Sequence, residues 1–409
     1  MRILILHQYF LGDNDPGGSR FNQFVKHWNK MGHDITVVAG NVNYTTGQKE
    51  EKYQGKFVVK EQYSERTEIY RTYVSESYNK SFLGRLWAYF SFTFSSLLVC
   101  LFHVKRHDVM IVTSPPLFVG ITGIIVSWLK RMPMVFEVRD LWPESAIDTG
   151  VLKNSLLIKA AYLVEKLSYR FASKINVLTP AFRHKLIEEK GISTNKIIFV
   201  PNGADLDIFQ PGPKENWVRE KYGLENKFVV TYLGAHGVAN HLMSIVKAAE
   251  ACRDIPDLMF MLVGDGMEKK SLQAYVDTNG IENVLFVPPQ PKSAVPDFCR
   301  ASDVCTAVLK KVDTFKTVYP NKVFDYMSCA KPIFIGIDGV ARTLVEESGS
   351  GYYVDPEDPE DFKEKIRLLM SNRELAESLG NNGYRYVTEN FSRESLADRY
   401  QTELRNMAI

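Results

Sequence analysis

Short apolar runs recur along the chain, each bounded by polar residues and followed by a segment of helix length. In the first half they are Ile3–Leu6, Ile35–Ala39, Val109–Thr113, Met134–Val138, Ile175–Leu178 and Ile197–Val200. In the second they are Phe228–Leu233, Met259–Val263, Val284–Val287, Val304–Val308 and Pro332–Ile337. Continuous apolar strands alternating with helices predict parallel sheets covered on both faces, an α/β fold. Between the halves lies "PNGADLDIFQPGP", Pro201–Pro213, whose Pro, Gly and Asp mark a loop or hinge. A chain of 409 residues exceeds one hydrophobic core. The pattern therefore predicts two doubly wound domains, 1–200 and 214–384, with a cleft between them. The tail "FSRESLADRYQTELRNMAI" reads as helix, with Ser392 as its cap.

In such sheets ligands bind beyond the carboxyl ends of the strands, so the segments there carry the candidate chemistry. After the first strand, Gly17 and Gly18 precede a helix that begins near Ser19–Arg20. Glycines let backbone approach a ligand, and a helix N-terminus offers amides to an anion; a capped flexible loop fits the same residues. In "YLGAHGVANHL", Gly234, Ala235, His236 and Gly237 form a second turn that can present amides to a phosphate. No GxGxxG is present, so neither turn is a dinucleotide fingerprint. "FMLVGDGMEKKSL" puts Gly264, Asp265 and Gly266 at another strand end. In "TVYPNKVFDYM", Lys322 and Asp325 share a helix face. The lysine suits a diphosphate and the acid suits ribose hydroxyls; an exposed ion pair is the plainer alternative. "VFEVRDLWPES" ends a core strand in Arg139, Asp140 and Glu144, with Trp142 and Pro143 between them. Either these charges face a ligand, or Arg139 and Asp140 pair while Trp142 and Pro143 pack the turn. His7 ends the first strand and is a candidate ligand contact; His33 reads as a turn residue. "DND" at 13–15 and "DLD" at 205–207 fit the D-x-D pattern of metal-dependent sugar transferases, but three-residue patterns are cheap, and the second lies in the hinge.

Composition narrows the class. Net charge is +2, with 45% apolar and 24% charged residues, an ordinary globular make-up without the polyelectrolyte footprint of a nucleic-acid binder. The five cysteines, Cys100, Cys252, Cys299, Cys305 and Cys329, form no CxxC pair and stand in apolar contexts, as reduced buried thiols of a cytoplasmic protein do. "MRILILHQYF" reads as a first strand rather than a signal peptide. Residues 86–102, "LWAYFSFTFSSLLVCLF", carry no charge and are followed by His103, Lys105, Arg106 and His107. They lie at the short limit for a bilayer span, about 17 residues, and Ser and Thr dilute them. They fit a helix packed on a sheet, or one lying in a membrane surface with basic flanks against anionic lipid.

Four pieces in order resemble the family 4 glycosyltransferases: "VPNGADLDIF", "YLGAHG", "LVGDGMEKKSL" and "PNKVFDYMSCAKPIF". "KMGHDITVVA" is similar to that family's second strand. "RDLWPES" and "TSPPLFVG" resemble its branch that builds bacterial O-antigen and capsule repeats from amino-sugars such as N-acetyl-fucosamine. The resemblance covers nearly the whole chain. It implies two Rossmann-like domains facing across a cleft, the GT-B fold, with helix 385–409 a candidate to pack back on the first domain. It implies a retaining transferase that moves a sugar, an N-acetylated amino-sugar, from a UDP-sugar to a lipid-diphosphate-linked saccharide at the inner membrane, with no metal or cofactor. Gly17, Gly18, Arg20, Gly234, His236, Gly237, Asp265, Val287, Lys322 and Asp325 would then meet the nucleotide and its phosphates. Thr317, Val318, Tyr319, Pro320 and Asn321 would meet the donor sugar, and Arg139, Asp140 and Glu144 the reacting centre. Residues 86–107 would rest on the cytoplasmic membrane face. The family's E-x7-E pair is altered, with Asp325 in place of the second acid and Thr317 in place of the first. Many relatives also carry His where this chain has Arg139, which cannot shuttle a proton. Two other classes stay open: a nucleotide-sugar epimerase on the same architecture and a non-catalytic sugar-nucleotide binding module.

Overall fold

The computed structural model describes residues 1–12, 20–43, 46–77, 82–148 and 150–408. The chain separates into two compact units, Met1–Pro201 with Glu394–Ile409, and Asn202–Arg393.

Unit 1 runs β1 (Arg2–Leu6), α1 (Arg20–Lys30), β2 (Asp34–Gly40), β3 (Val58–Ser64), β4 (Thr67–Thr72), α2 (Phe82–Phe102), β5 (Val109–Ser114), α3 (Val119–Lys130), β6 (Met134–Val138), α4 (Glu144–Asp148), α5 (Ser155–Phe171), β7 (Lys174–Val177), α6 (Pro180–Glu188) and β8 (Ile197–Phe199). The strand order is β3-β4-β2-β1-β5-β6-β7-β8. All neighbours are parallel except β3, which lies antiparallel on β4. This corrects the expectation of a wholly parallel sheet. β3 and β4, "VVKEQYS" and "TEIYRT", alternate polar and apolar residues because they form the edge, where one face meets water.

Unit 2 runs α7 (Trp217–Tyr222), β9 (Phe228–Leu233), α8 (Met243–Ala251), β10 (Leu258–Val263), α9 (Lys269–Thr278), β11 (Val284–Val287), α10 (Val295–Arg300), β12 (Val304–Val308), α11 (Asn321–Ser328), β13 (Ile333–Gly336), α12 (Val340–Glu347), β14 (Gly351–Tyr353), α13 (Pro359–Ser371) and α14 (Arg373–Phe391). Its order, β11-β10-β9-β12-β13-β14, is all parallel and is the 3-2-1-4-5-6 doubly wound arrangement. Local chemistry sets several helix starts: Asn216, Asp358 and Asn372 each accept amides of the first turn of α7, α13 and α14.

The last helix, α15 (Arg393–Ala408), returns to unit 1. Leu396, Ala397, Tyr400 and Leu404, spaced by three and four, join the core of Phe24, Trp28, Ile35 and Val135. Trp28 Nε1 donates to the Ala397 carbonyl at 2.9 Å, and the Tyr400 ring meets Phe24 and Trp28 edge-on. The tail is thus two helices: α14 belongs to unit 2 and α15 to unit 1.

Helix α2 packs on α3, β2 and β4 with Ala88, Phe92, Ser96, Val99 and Cys100 fully buried. Its other face is also apolar: Leu83, Trp87, Phe94 and Phe102 are 58–76% exposed. It is the one described helix long and apolar enough to cross a membrane, and half of it is buried. All five cysteines are buried and free.

Candidate functional site

In unit 2 the topological switch point lies between β9 and β12. The segment after β9 locks against the one after β10. Gly234 N donates to Val263 O, His236 N to Asp265 O, and Glu268 N to His236 O. Gly264, at φ +145, approaches so closely that a Cβ would lie 1.9 Å from Gly234 O. The amides of Gly234 and His236 are therefore consumed, which corrects their assignment as phosphate donors. Those of Ala235 and Gly237 have no backbone partner among the described residues. The His236 side chain is fully buried between Tyr232 and Phe286, both ring nitrogens without a hydrogen-bond partner among the described residues. Burial, reinforced by Lys269, pulls its pKa down to about 4, so it is neutral and holds the turn rather than a phosphate. Asp265 is exposed and accepts from the Gly266 amide. Val287 is buried, with its carbonyl taken by Gly264, and offers no side chain to a ligand.

Lys322, in the first turn of α11, stands beside this turn. Its Nζ lies 3.7 Å from the centre of the Tyr232 ring, a cation–π contact. Gly234, at φ +143, leaves it room: a Cβ there would come within 2.9 Å of Nζ. Lys322 makes no ion pair with any described residue, and Asp325 makes none either, so the exposed ion pair that the spacing allowed does not form. Burial lowers the Lys322 pKa to about 7 and raises that of Asp325 to about 6. Asp205, buried in the hinge segment, has Lys292 at 3.8 Å and Arg393 at 3.5 Å, and both cations also act on Asp325. The start of α11 has no side-chain cap. Thr317 ends a 3₁₀ turn, Asp313–Thr317, and donates to Thr314 O at 2.6 Å. Val318, Tyr319 and Pro320 follow, half-buried, with Asn321 exposed. The Tyr319 ring is braced edge-on by Phe324 and Phe391, and burial raises its pKa to about 12.

In unit 1 the strand "VFEV" ends in two separate networks. Glu137 is fully buried; it accepts from Arg20 Nε at 2.9 Å, Asn176 at 3.2 Å and the Tyr400 hydroxyl at 2.9 Å. Arg20 also donates to the carbonyls of Val200 and Pro201. It is 4% exposed, so its guanidinium ties strand ends together and does not meet a phosphate, a correction to its expected role. Arg139 and Asp140 are half-buried and do not pair with each other. Asp140 Oδ2 accepts from Ser145 Oγ at 2.8 Å, and burial raises its pKa. An Arg139 nitrogen lies 3.4 Å from His7 Nε2, while His7 Nδ1 lies 2.8 Å from Thr113 Oγ1. Because that hydroxyl donates onward to Leu6 O, it accepts from Nδ1–H, and Nε2 carries the lone pair toward Arg139. Burial and then Arg139 hold the His7 pKa well down. Glu144 accepts from Lys190 at 2.6 Å, and Lys190 also bridges to Glu165. This commits Glu144 to a buried triad with α5, which moves it from the reacting centre to the scaffold. Trp142 packs edge-on to Tyr89 and Phe118, filling the turn. Gly17, Gly18 and the "DND" of 13–15 lie outside the described residues. Among the described residues no group of three His, Cys, Asp or Glu could hold a metal.

Sequence reasoning missed Tyr232, whose ring carries Lys322, and the Asp205–Lys292–Arg393 cluster. The partners lie far apart in the chain, and no local spacing announces them.

The fold and its strand-end site define a glycosyltransferase with the GT-B architecture of two Rossmann-like units. Its first half is a glycosyl transferase 4-like domain, matched over residues 17–203, and its second a glycosyl transferases group 1 domain, matched over 214–386. Over 335 residues the chain is 24% identical to the putative colanic acid biosynthesis glycosyl transferase WcaI of Escherichia coli K12, covering 80% of this chain and 81% of that one. It is 26% identical to a D-inositol 3-phosphate glycosyltransferase of Geodermatophilus obscurus over 61% of this chain and 58% of that one. Anabaena Alr3699/HepE, solved in complex with UDP and glucose, superposes with a TM-score of 0.73 at 18% identity over 99% and 100% of the two chains. WaaG, a glycosyltransferase involved in lipopolysaccharide biosynthesis, gives 0.67 at 14% identity over 98% of each.

Proposed function

We propose that the protein is a retaining glycosyltransferase that moves a sugar from a UDP-sugar to a lipid-diphosphate-linked saccharide in bacterial surface polysaccharide synthesis. The carrying observation is Lys322, an unpaired cation in a desolvated place beside open amides of a glycine turn. A leaving diphosphate develops negative charge, and a lysine, amides and a helix N-terminus stabilise it without a metal. Lys322, the Ala235 and Gly237 amides and the uncapped start of α11 supply these. Asp325, one turn on, accepts from ribose hydroxyls, and Thr317–Asn321 border the donor sugar. The complex of HepE with UDP and glucose supports the nucleotide class. The names of WcaI and WaaG support the polysaccharide context. The resemblance of "RDLWPES" and "TSPPLFVG" to the O-antigen and capsule branch supports an amino-sugar such as N-acetyl-fucosamine.

Asp140 is the proposed base toward the acceptor hydroxyl, since burial raises its proton affinity. Arg139 and neutral His7 hold the surrounding hydrogen bonds. Retention proceeds by attack from the leaving-group side. An epimerase would need no acceptor. Incubating the full chain with a lipid-linked saccharide and a panel of UDP-sugars, read by mass spectrometry, tests this: a product heavier by one sugar is expected, and UDP release without acceptor would overturn it.

The exposed apolar face of α2, with Lys105 and Arg106 beyond it, supports attachment of residues 86–107 to the cytoplasmic membrane face. Co-sedimentation with anionic vesicles, released by salt, is the expected result. Equal recovery in the supernatant with and without vesicles refutes it.

A further inference from the structure

Tyr232 is the penultimate residue of β9, so its side chain stands at the carboxyl end of that strand, beside the switch point. It is fully buried. Leucine or phenylalanine would fill such a core position, and a hydroxyl placed there is destabilising unless it finds a partner. Burial raises the pKa of this phenol, so the hydroxyl keeps its proton and acts as a donor. It donates to Ala235 O at 2.9 Å. The amide of the same peptide unit, His236 N, donates to Asp265 O at 2.8 Å. The Ala235–His236 peptide is therefore held at both of its polar atoms. The amides on either side of it, those of Ala235 and Gly237, are the ones left without a backbone partner among the described residues.

The ring of the same side chain holds Lys322. Nζ lies 3.7 Å from the ring centre, well inside the ~6 Å reach of a cation–π contact. The face of a tyrosine is electron-rich, so it favours the ammonium over the neutral amine and fixes where it sits. Gly234 keeps that seat clear: a Cβ there would stand 2.9 Å from Nζ and 3.4 Å from the Tyr232 hydroxyl. The other groups nearby do not share the task. Asp325, one turn along α11, favours the charge without forming an ion pair among the described residues. Lys292 and Arg393 act on Asp325. His236 is neutral, and Lys269 of α9 is tied to Gly264 O at 2.8 Å.

We infer that Tyr232 is the positioning residue of the leaving-group site: its face seats the Lys322 ammonium and its hydroxyl sets the Gly234–Gly237 turn, so that the cation and the free amides meet one diphosphate together. This role rests on the donor reading above.

The test is calorimetry of UDP on the full chain from about pH 5 to about pH 8.5, spanning the values near 6 and 7 of Asp325 and Lys322. In the wild type, affinity falls on the alkaline side as Lys322 loses its proton. Tyr232→Phe keeps the ring and removes the hydroxyl. UDP is expected to bind about three- to tenfold more weakly at every pH, the worth of one neutral hydrogen bond, with the alkaline fall where the wild type has it. Tyr232→Leu removes the face. Lys322 then loses proton affinity, and the alkaline fall is expected about one pH unit lower, the equivalent of about 1.4 kcal/mol of cation–π attraction. If Tyr232→Leu does not fold by its melting curve, pentafluorophenylalanine at position 232 takes its place, since that ring keeps its shape and loses its negative face, and the same displacement is expected. An unmoved alkaline fall in the folded variant that lacks the face, or wild-type affinity in Tyr232→Phe, overturns the proposal, even where melting temperature drops, because packing alone shifts no pH profile. Lys322→Met is measured beside them. UDP binding that Lys322→Met leaves unchanged overturns the donor reading and the positioning role with it. Binding that falls in Lys322→Met and in neither Tyr232 variant overturns the positioning role alone.

Discussion

Glu137 and Lys322 are both charges at the carboxyl end of a doubly wound sheet, yet they live in opposite circumstances. Glu137 has three donors around it and no exposure. Lys322 has an aromatic ring, a glycine and no counter-ion among the described residues. A buried charge with its donors in place fixes geometry; one without a counter-charge is displaced toward neutrality. Burial takes Lys322 to about 7 and Asp325 to about 6, which fits the binding role proposed for them, whereas the hydrogen bonds around Glu137 tie strand ends together. This follows the general tendency of perturbed groups to gather at functional sites.

The sharpest way to break the comparison is Asp140→Asn. Asp140 is a half-buried acid whose pKa is raised by desolvation and that has no cation partner among the described residues, so it belongs with Lys322 rather than Glu137. Turnover is expected to fall about 10²–10⁴-fold with UDP affinity and melting temperature near wild type. A large fall in melting temperature with normal turnover per folded molecule would place it with the scaffold. Next comes Glu137→Ala, which strands the Arg20 charge in the core. About 3–5 kcal/mol of stability should be lost, measured by urea unfolding, with UDP affinity of the folded fraction unchanged.

Lys322→Met should weaken UDP by one to two decades, the worth of a charge-assisted contact of about 1.5–3 kcal/mol, read by calorimetry. The same substitution should raise stability at neutral pH, because it removes a desolvated cation. The pH dependence sharpens this. Above about pH 7 free Lys322 is neutral and must take up a proton to meet a diphosphate; below about pH 6 Asp325 loses the charge that ribose needs. UDP affinity should therefore peak between about pH 6 and 7. It should fall by at most tenfold per unit above that window, with proton uptake visible in buffers of different ionisation heat. A flat profile refutes both assignments. The smallest effect is on stability in Asp325→Asn. The folded pKa is raised, so protonation stabilises below about pH 4 and this gain is lost as pH rises through about 6. The Asn variant should be about 1–3 kcal/mol more stable at pH 8 and no different at pH 4.

Much of the frame was legible because covered parallel strands are continuous apolar runs, and such runs reveal themselves without tertiary knowledge. β3 and β4 escaped because edge strands are half polar, and β14 because three residues, "GYY", hold no period. For the site, spacing singled out Lys322, Asp325 and Asp140, and desolvation is the largest cause of the shift at each. It misjudged Arg20, His236 and Glu144. Arg20 is held by Glu137, 117 positions away, and Glu144 by Lys190, 46 away. A side chain at a strand end looks the same in sequence whether its partner is a ligand or a distant residue of its own core.

The return of α15 to unit 1 has a consequence for how the polypeptide is made. A ribosome delivers the chain from its N-terminus, and unit 2 is complete once Arg393 has emerged. The core of unit 1 is not complete then, for Phe24 and Trp28 await Tyr400 and Leu404, and the buried Glu137 awaits one of its donors. The domain begun first is finished last. During that interval nascent chains carry an uncovered aromatic patch, so a stop codon just before α15 would release a protein whose second half is folded and whose first half is a target for chaperones and proteases.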